Sequence, residues 1–436
     1  MASGLTPPAA PLAREAPSTP KETRFGRVFK PMEGVRVLEV AQFTFVPSAG
    51  AVLADWGADV IKIEHAEKGD AQRGLIKALG QDVVSKGSSF APIMDGPNRG
   101  KRSIGLSLEK PESKRVLQEL VRTSDVFLTN FLPGARARLG IELEDVRAIN
   151  PDIIYTVGTS FAHSGPEADK GGYDGTAFWA RAGSADSVTP DGSDYVVNQP
   201  GGAYGDNMGG MTIAGGIAAA LFARDRTGTA PTVDISLLGV GAWATQLNVN
   251  LALMAGGPLP KPNPRGGNPS NPLSAMYRTA DDRWLSFVML QPGRYWPDFC
   301  KKVGRPELAG DPRFDSAAQL MANAREAADI VAEIIRSRTK DAWVETFEDL
   351  EGQWAVVQNT YEVGHDPALR AIGQIADVVD AEGETRQLVG SPVQFNREAP
   401  QVGRGPLFAE HTDEILRELG FSDDVLLELK IAGAVT

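Results

Sequence analysis

The sequence predicts an α/β fold organised around a parallel sheet. Short apolar runs alternate with helix-length segments as far as residue 157, and strands separated by crossover helices pair in parallel. A Pro- and Gly-rich stretch at 256–272 then divides this region from a second one with its own strand and helices.

The apolar run 35–40 is followed by a segment, 47–56, able to close a helix, and by a second run, 58–64, which together read as a βαβ unit. The pattern recurs as a run at 103–108 and a helix at 111–122. Pro111 opens that helix, because its missing N–H is no loss in a first turn. A run at 125–129, a helix at 143–149 and a strand at 152–157 complete the series. Ligands of such a sheet sit beyond the carboxyl ends of its strands. Residues 163–205 are rich in Gly and Ser and read as loop. A helix at 206–224, a strand at 231–235 and a helix at 237–254 follow. Beyond the proline cluster come a strand at 284–290, helices at 317–336 and 339–351, and a terminal helix at 412–429.

Composition narrows the partners. The 436 residues carry 44 Lys plus Arg against 56 Asp plus Glu, a net charge of -12, which repels a phosphate polymer; nucleic acid is not an expected partner. Cys300 is the single cysteine, so no disulfide forms within the chain, and a cytoplasmic address is expected. A membrane span needs about 20 apolar residues. The longest apolar stretch, 211–223, is shorter and broken by Thr212, Gly215 and Gly216, so no membrane association is expected. The leader 1–30, with Pro7, Pro8, Pro11, Pro17 and Pro20, reads as a flexible extension. His65, His163, His365 and His411 are too scattered for a metal site, and none is expected.

Two features carry chemistry. Gly205-Asp206-Asn207-Met208-Gly209-Gly210-Met211 holds a carboxylate among glycines at the start of an apolar helix. Asp206 there either caps the helix amides or, with glycines permitting close approach of a substrate, acts as a nucleophile. Lys101 and Arg102 are expected to place two cations at the mouth of the sheet.

The chain from residue 31 onward resembles the family III CoA-transferases, the group that includes formyl-CoA transferase and carnitine CoA-transferase. The resemblance rests on 34–39, on Gly57-Ala58-Asp59 with the run to Glu64, on Asn98 with Lys101-Arg102-Ser103, and on Asn130-Phe131 with Pro133-Gly134 and Arg138-Leu139-Gly140. Gly172-Tyr173-Asp174, Gly205-Asp206, Asp234 to Leu238 and Glu410-His411-Thr412 extend it. It implies a large Rossmann-like domain with a smaller inserted α+β domain and an interlocked ring dimer of identical chains. The corresponding bounds are a leader at 1–30, a large domain from 31–237 with its C-terminal part in 341–436, a linker at 238–262 and a small domain at 263–340.

The resemblance also implies that coenzyme A is a cosubstrate with no tightly bound cofactor, that the partners are an acyl-CoA and a carboxylic acid, and that Asp206 is an ionised nucleophile. It assigns Lys101, Arg102 and Arg138 to the CoA phosphates, Leu139 to CoA binding and His65 to the nucleotide. Asn130 and Phe131 would line the CoA cleft. Phe43, Thr44 and Phe45, with Tyr173 and Asp174, count among the CoA-binding residues, and Gly266-Gly267-Asn268 occupies the place of a lid. Small-acid transferases carry a glutamine where Thr44 stands. The aromatic residues Phe43, Phe45, Tyr173, Phe178 and Trp179 favour a bulky or apolar acid. The same superfamily includes 2-methylacyl-CoA racemases, which carry a histidine where Tyr173 stands; phenol, with a pKa near 10, is a poor proton shuttle at neutrality. A racemase, or a non-catalytic CoA-binding subunit of a hetero-oligomer, are the alternatives.

Overall fold

The computed structural model describes residues 29–84, 87–262 and 270–436. Its centre is a six-stranded parallel sheet of β1 (Arg36–Val40), β2 (Asp59–Glu64), β3 (Arg102–Gly105), β4 (Val126–Thr129), β5 (Ile154–Thr159) and β6 (Thr232–Ser236). The spatial order is β3-β2-β1-β4-β5-β6, the doubly wound order in which the winding reverses between β1 and β4. A crevice therefore opens above the carboxyl ends of those two strands.

Both faces of the sheet are covered, which is why the strands are near-continuous apolar runs. One face packs Val37, Val60 and Val126 against helix α1 (Phe45–Asp55). The other packs Leu38, Ile61 and Phe127 against helices that include α3 (Ser113–Arg122); α2 (Pro92–Asn98) precedes β3. After β4 come α4 (Pro133–Leu139) and α5 (Leu143–Ile149), and after β5 a long helix, α6 (Tyr204–Thr227). The helix expected at 237–254 is two, α7 (Leu237–Ala244) and α8 (Gln246–Ala255), bent by 73° at Thr245. The Thr245 hydroxyl bonds the carbonyls of Gly241 and Ala182 there, a local alternative to the helix ladder. Among the described residues, no single helix is long and apolar enough to cross a membrane.

A second unit follows. Strands β7 (Ser274–Arg278), β8 (Trp284–Val288) and β9 (Trp354–Val356) form an antiparallel sheet over an aromatic core of Phe287, Trp296, Phe299, Trp343 and Phe347. The bound expected at 340 cuts this core, since Trp343, Phe347 and Leu350 belong to it. The C-terminal helices α13 (Thr412–Glu418) and α14 (Asp423–Ile431) return to the large sheet, where Ile415, Leu416, Leu426 and Leu429 join the packing over Leu38 and Ile104. Helices α9 (Pro292–Lys302), α10 (Ala317–Ala322), α11 (Ala324–Arg336) and α12 (Lys340–Thr346), two short helical turns at Thr360–Gly364 and Pro367–Ala371, and the hairpin β10 (Ile375–Val379) with β11 (Thr385–Val389) lie between. Most of the leader and the Gly266-Gly267-Asn268 segment lie outside the described residues.

Candidate active site

The loops leaving β1 and β4 are tied across the crevice. Gln42 N–H donates to Asn130 Oδ1 at 3.1 Å and Asn130 Nδ2 donates back to the Gln42 carbonyl at 2.7 Å. The next residue, Phe43, adopts a left-handed backbone with φ +64°, a conformation unfavourable for a bulky side chain. It is held there by Asp70, whose Oδ1 accepts the Phe43 N–H at 3.2 Å. Asp70 is itself fixed by Lys62 at 2.9 Å, and Lys62 by Glu39 and the Ala41 carbonyl. The Phe43 ring meets Tyr173 edge-on, 5.7 Å between centroids.

Helix α6 brings Asp206 to the same place. Its cap residue is Ala203, in a left-handed backbone with no side-chain cap, so Asp206 lies in the first turn rather than at the cap. The capping alternative does not hold: among the described residues the Asp206 carboxylate accepts no hydrogen bond. Position comes from backbone packing. Gly209 and Gly210 let α6 approach α1 so closely that a Cβ on Gly209 would meet the Phe45 ring, and one on Gly210 would meet Ser48 and the Ala49 nitrogen. Ser48 Oγ donates to the Phe45 carbonyl at 2.8 Å and lies 3.2 Å from the Asp206 carbonyl, joining the two helices. Burial, and then the charge of Asp174, push the Asp206 carboxyl up to about 7. At neutrality it is therefore only partly ionised, where full ionisation was expected.

Two clefts meet at Gln42 and Phe131, which line both. The larger, about 1010 Å³, contains Phe43, Phe45, Asn130, Phe161, Tyr173 and Asp206. The smaller, about 340 Å³, has apolar walls from Val40, Ile63, Leu106, Leu108 and Leu139, with His65, Lys68, Glu109 and Arg138 as its polar members besides Gln42. His65 Nδ1 accepts the N–H groups of Glu67 and Lys68, and its Nε2 is 2.8 Å from Glu109.

Several expected site residues lie elsewhere. Lys101 is fully buried, its ammonium 2.8 Å from both Glu39 oxygens and from the Pro47 carbonyl. Burial pushes it down to about 7 against the pull of Glu39, which it shares with Lys62. Arg102 opens β3 at the amino end of the sheet, paired with Asp59, Glu414 and Glu418. Neither cation is at the mouth, because a parallel strand places its first residues at the end opposite the ligand. Thr44 turns inward and its hydroxyl donates to Gln72 at 2.9 Å. Asp174 is buried and accepts the N–H groups of Gly175 and Gly205, shaping the site from behind. Phe178 is buried beneath Tyr204, and Trp179 bonds the Val197 carbonyl. Gln42, Phe161 and Arg136 were missed; the first two follow the ends of β1 and β5, the positions that strand-end reasoning singles out.

An acidic side chain in a cleft at the switch point of a doubly wound sheet makes that cleft the candidate active site of an α/β protein. The chain belongs to CoA-transferase family III, whose family model matches residues 32–412. It is 28% identical over 401 residues to an (R)-2-hydroxy-4-methylpentanoate CoA-transferase of Clostridioides difficile, covering 92% of this chain and 98% of that protein. It is 30% identical over 399 residues to a cinnamoyl-CoA:phenyllactate CoA-transferase of Clostridium sporogenes, covering 91% and 95%. Among solved structures, a CAIB/BAIF family protein from Brucella suis superposes with a TM-score of 0.77 at 25% identity, over 90% of this chain and 100% of that one.

Proposed function

We propose that the chain moves CoA from an acyl-CoA thioester to a free carboxylic acid, with Asp206 as the nucleophile. The observation that carries this reading is an unbonded Asp206 carboxylate facing a large cleft that opens beside a second, nucleotide-sized one. In the first step an Asp206 oxygen attacks the thioester carbon; the C–S bond breaks and CoA leaves as thiolate, giving an aspartyl acyl anhydride. The thiolate then attacks the aspartyl carbonyl, releasing the first acid as carboxylate and leaving an aspartyl-CoA thioester. The acceptor carboxylate displaces CoA thiolate from that thioester to form a second anhydride. The thiolate attacks its acyl carbonyl, releasing product acyl-CoA and free Asp206. Each exchange joins acyl species of similar energy.

The CoA nucleotide occupies the smaller cleft, with adenine against the apolar walls and Arg138 and Lys68 facing the phosphates. The pantetheine arm crosses Gln42 and Phe131 to reach Asp206. Relatives named for a branched and an aromatic acid, together with the ring-lined walls of the larger cleft, support a bulky or apolar acyl body. A second copy of the chain completes the enzyme; α8, in which no residue is buried and Leu247, Leu253 and Met254 are exposed, supports that pairing. Among the described residues, the lining of the larger cleft includes no histidine, which weighs against a racemase mechanism with an imidazole as second acid–base group there.

Incubation with an acyl-CoA, trapping by hydroxylamine and mass spectrometry place the modification on Asp206, and Asp206→Ala abolishes exchange with the circular dichroism spectrum unchanged. Rapid transfer with Asp206 unmodified overturns the mechanism.

A further inference from the structure

Arg136 is a cation that the transfer chemistry leaves without a task. Arg136 and Arg138 stand two residues apart on α4, about 200° around the helix axis, so one short helix presents a guanidinium to each cleft. Arg138 lines the smaller cleft and Arg136 the larger one that holds Asp206.

Arg136 is under-used where it stands. Its Nη1 donates to the Phe131 carbonyl at 2.9 Å, and its Nε is shut off from solvent with no acceptor. Among the described residues no carboxylate pairs with it. A guanidinium has five N–H donors and keeps its charge at any relevant pH, so an unpaired one in a cleft wall is a standing demand for an anion. The other cations of this cleft are already engaged. Lys170 and Arg181 lie 4.8 and 4.9 Å from the centroid of the Phe161 ring and share Glu167, at 3.0 and 2.5 Å. Among the described residues Asp206 is the sole acidic residue of the lining, and the proposed reaction uses it.

We infer that the acyl group handled here has an apolar body and a second, distal carboxylate, which Arg136 binds. The substrate class is thus a dicarboxylic acid of medium length. This rests on the transferase reading, in which the first carboxyl exchanges CoA at Asp206. The two ends then have separate partners in one cleft: a carboxylate nucleophile for the thioester, and a planar fork suited to bidentate pairing for the far carboxylate. Phe43, Phe131, Leu132 and Phe161 supply apolar wall between them, and about 1010 Å³ leaves room for a chain of that length.

The test is identity exchange in the full-length chain, which keeps one acid per assay: adipoyl-CoA with labelled adipate, and hexanoyl-CoA with labelled hexanoate. The native chain favours adipate at least tenfold in kcat/KM. Arg136→Met lowers the adipate-to-hexanoate ratio at least tenfold, the size expected for a lost charge-assisted bond, and Arg136→Lys restores part of it. Hexanoate exchange reports that each variant is folded. Equal losses for both acids place Arg136 on CoA or in the fold and overturn the inference while the transferase reading stands. So does a native preference for hexanoate. A native chain that exchanges neither these nor any other acid with its CoA ester overturns both.

Discussion

Asp174 and Asp206 form a like-charged pair across the start of α6. Asp174 Oδ2 accepts the Gly205 N–H at 3.1 Å, one residue before Asp206, and its charge adds to burial in holding the Asp206 carboxyl up at about 7. In the proposed mechanism Asp206 attacks as the carboxylate, so the sign is fixed. Raising pH through 7 ionises Asp206 and raises the rate; below about pH 6 the rate falls tenfold per unit.

The expected profile of kcat/KM for CoA exchange therefore has an acidic limb near pH 7. Asp174→Asn removes the neighbouring charge, at the loss of one of the two N–H bonds from Gly175 and Gly205 because the amide has a single acceptor oxygen; the limb moves to lower pH and the ratio of rates at pH 6 and pH 8 increases. Initial-rate profiles of native and variant enzyme between pH 5 and 9 measure both. A limb that stays in place under Asp174→Asn shows that the Asp174 charge does not set it and leaves burial as the cause.

Arg138 and Lys101, both expected to hold CoA phosphates, separate experimentally. Arg138 is exposed in the smaller cleft, so Arg138→Met raises the KM for acyl-CoA about tenfold with kcat little changed. Lys101 is sealed beneath α1 on Glu39. Lys101→Met leaves that carboxylate short of a partner and lowers stability by about 3 kcal/mol, read as a lower urea midpoint, with KM unchanged in the folded fraction. A raised KM with an unchanged midpoint returns Lys101 to the list of CoA ligands.

These two residues also show what could be read before the structure. The central strands were legible because the sheet is buried on both faces and apolar residues dominate them, as at Val126 to Leu128. Asp206 was legible because a lone acid among glycines opens an apolar helix. Lys101 and Arg102 were misplaced because adjacency to a strand does not say which end of the sheet they occupy. Only the register of Arg102 with Ile61 settles that, and their burial depends on Glu39 and Glu418, 62 and 316 residues away. The cut at 340 failed for a similar reason: Trp343 stacks on Phe347, and Phe347 packs against Phe287, a contact that local sequence does not reveal. Arg136 was hidden by its neighbour Arg138, since only the direction in which each leaves α4 assigns them to different clefts.

Two glycines of α6 make the last prediction. At Gly210 a methyl group would meet Ser48 Oγ and lie 2.9 Å from the Ala49 backbone nitrogen, and backbone in the middle of α1 cannot yield as a side-chain tip can. At Gly215, five residues on, a methyl group meets nothing within 4 Å. Helix propensity favours alanine over glycine by about 1 kcal/mol at either position. Gly215→Ala is therefore stabilising by about that amount, with exchange activity unchanged. At Gly210 overpacking of about 1–3 kcal/mol opposes the same gain, so the net loss of stability is modest. Its larger effect is on rate. Pushing α6 off α1 moves the Ser48 contact to the Asp206 carbonyl and displaces Asp206 in the cleft, and if Asp206 attacks as proposed, a displacement of about 1 Å can cost on the order of 100-fold. Thermal melts and kcat measured on both variants separate the two effects: Gly210→Ala loses rate far beyond its loss of stability, and equal behaviour of the two variants refutes the idea that this helix crossing sets the position of Asp206.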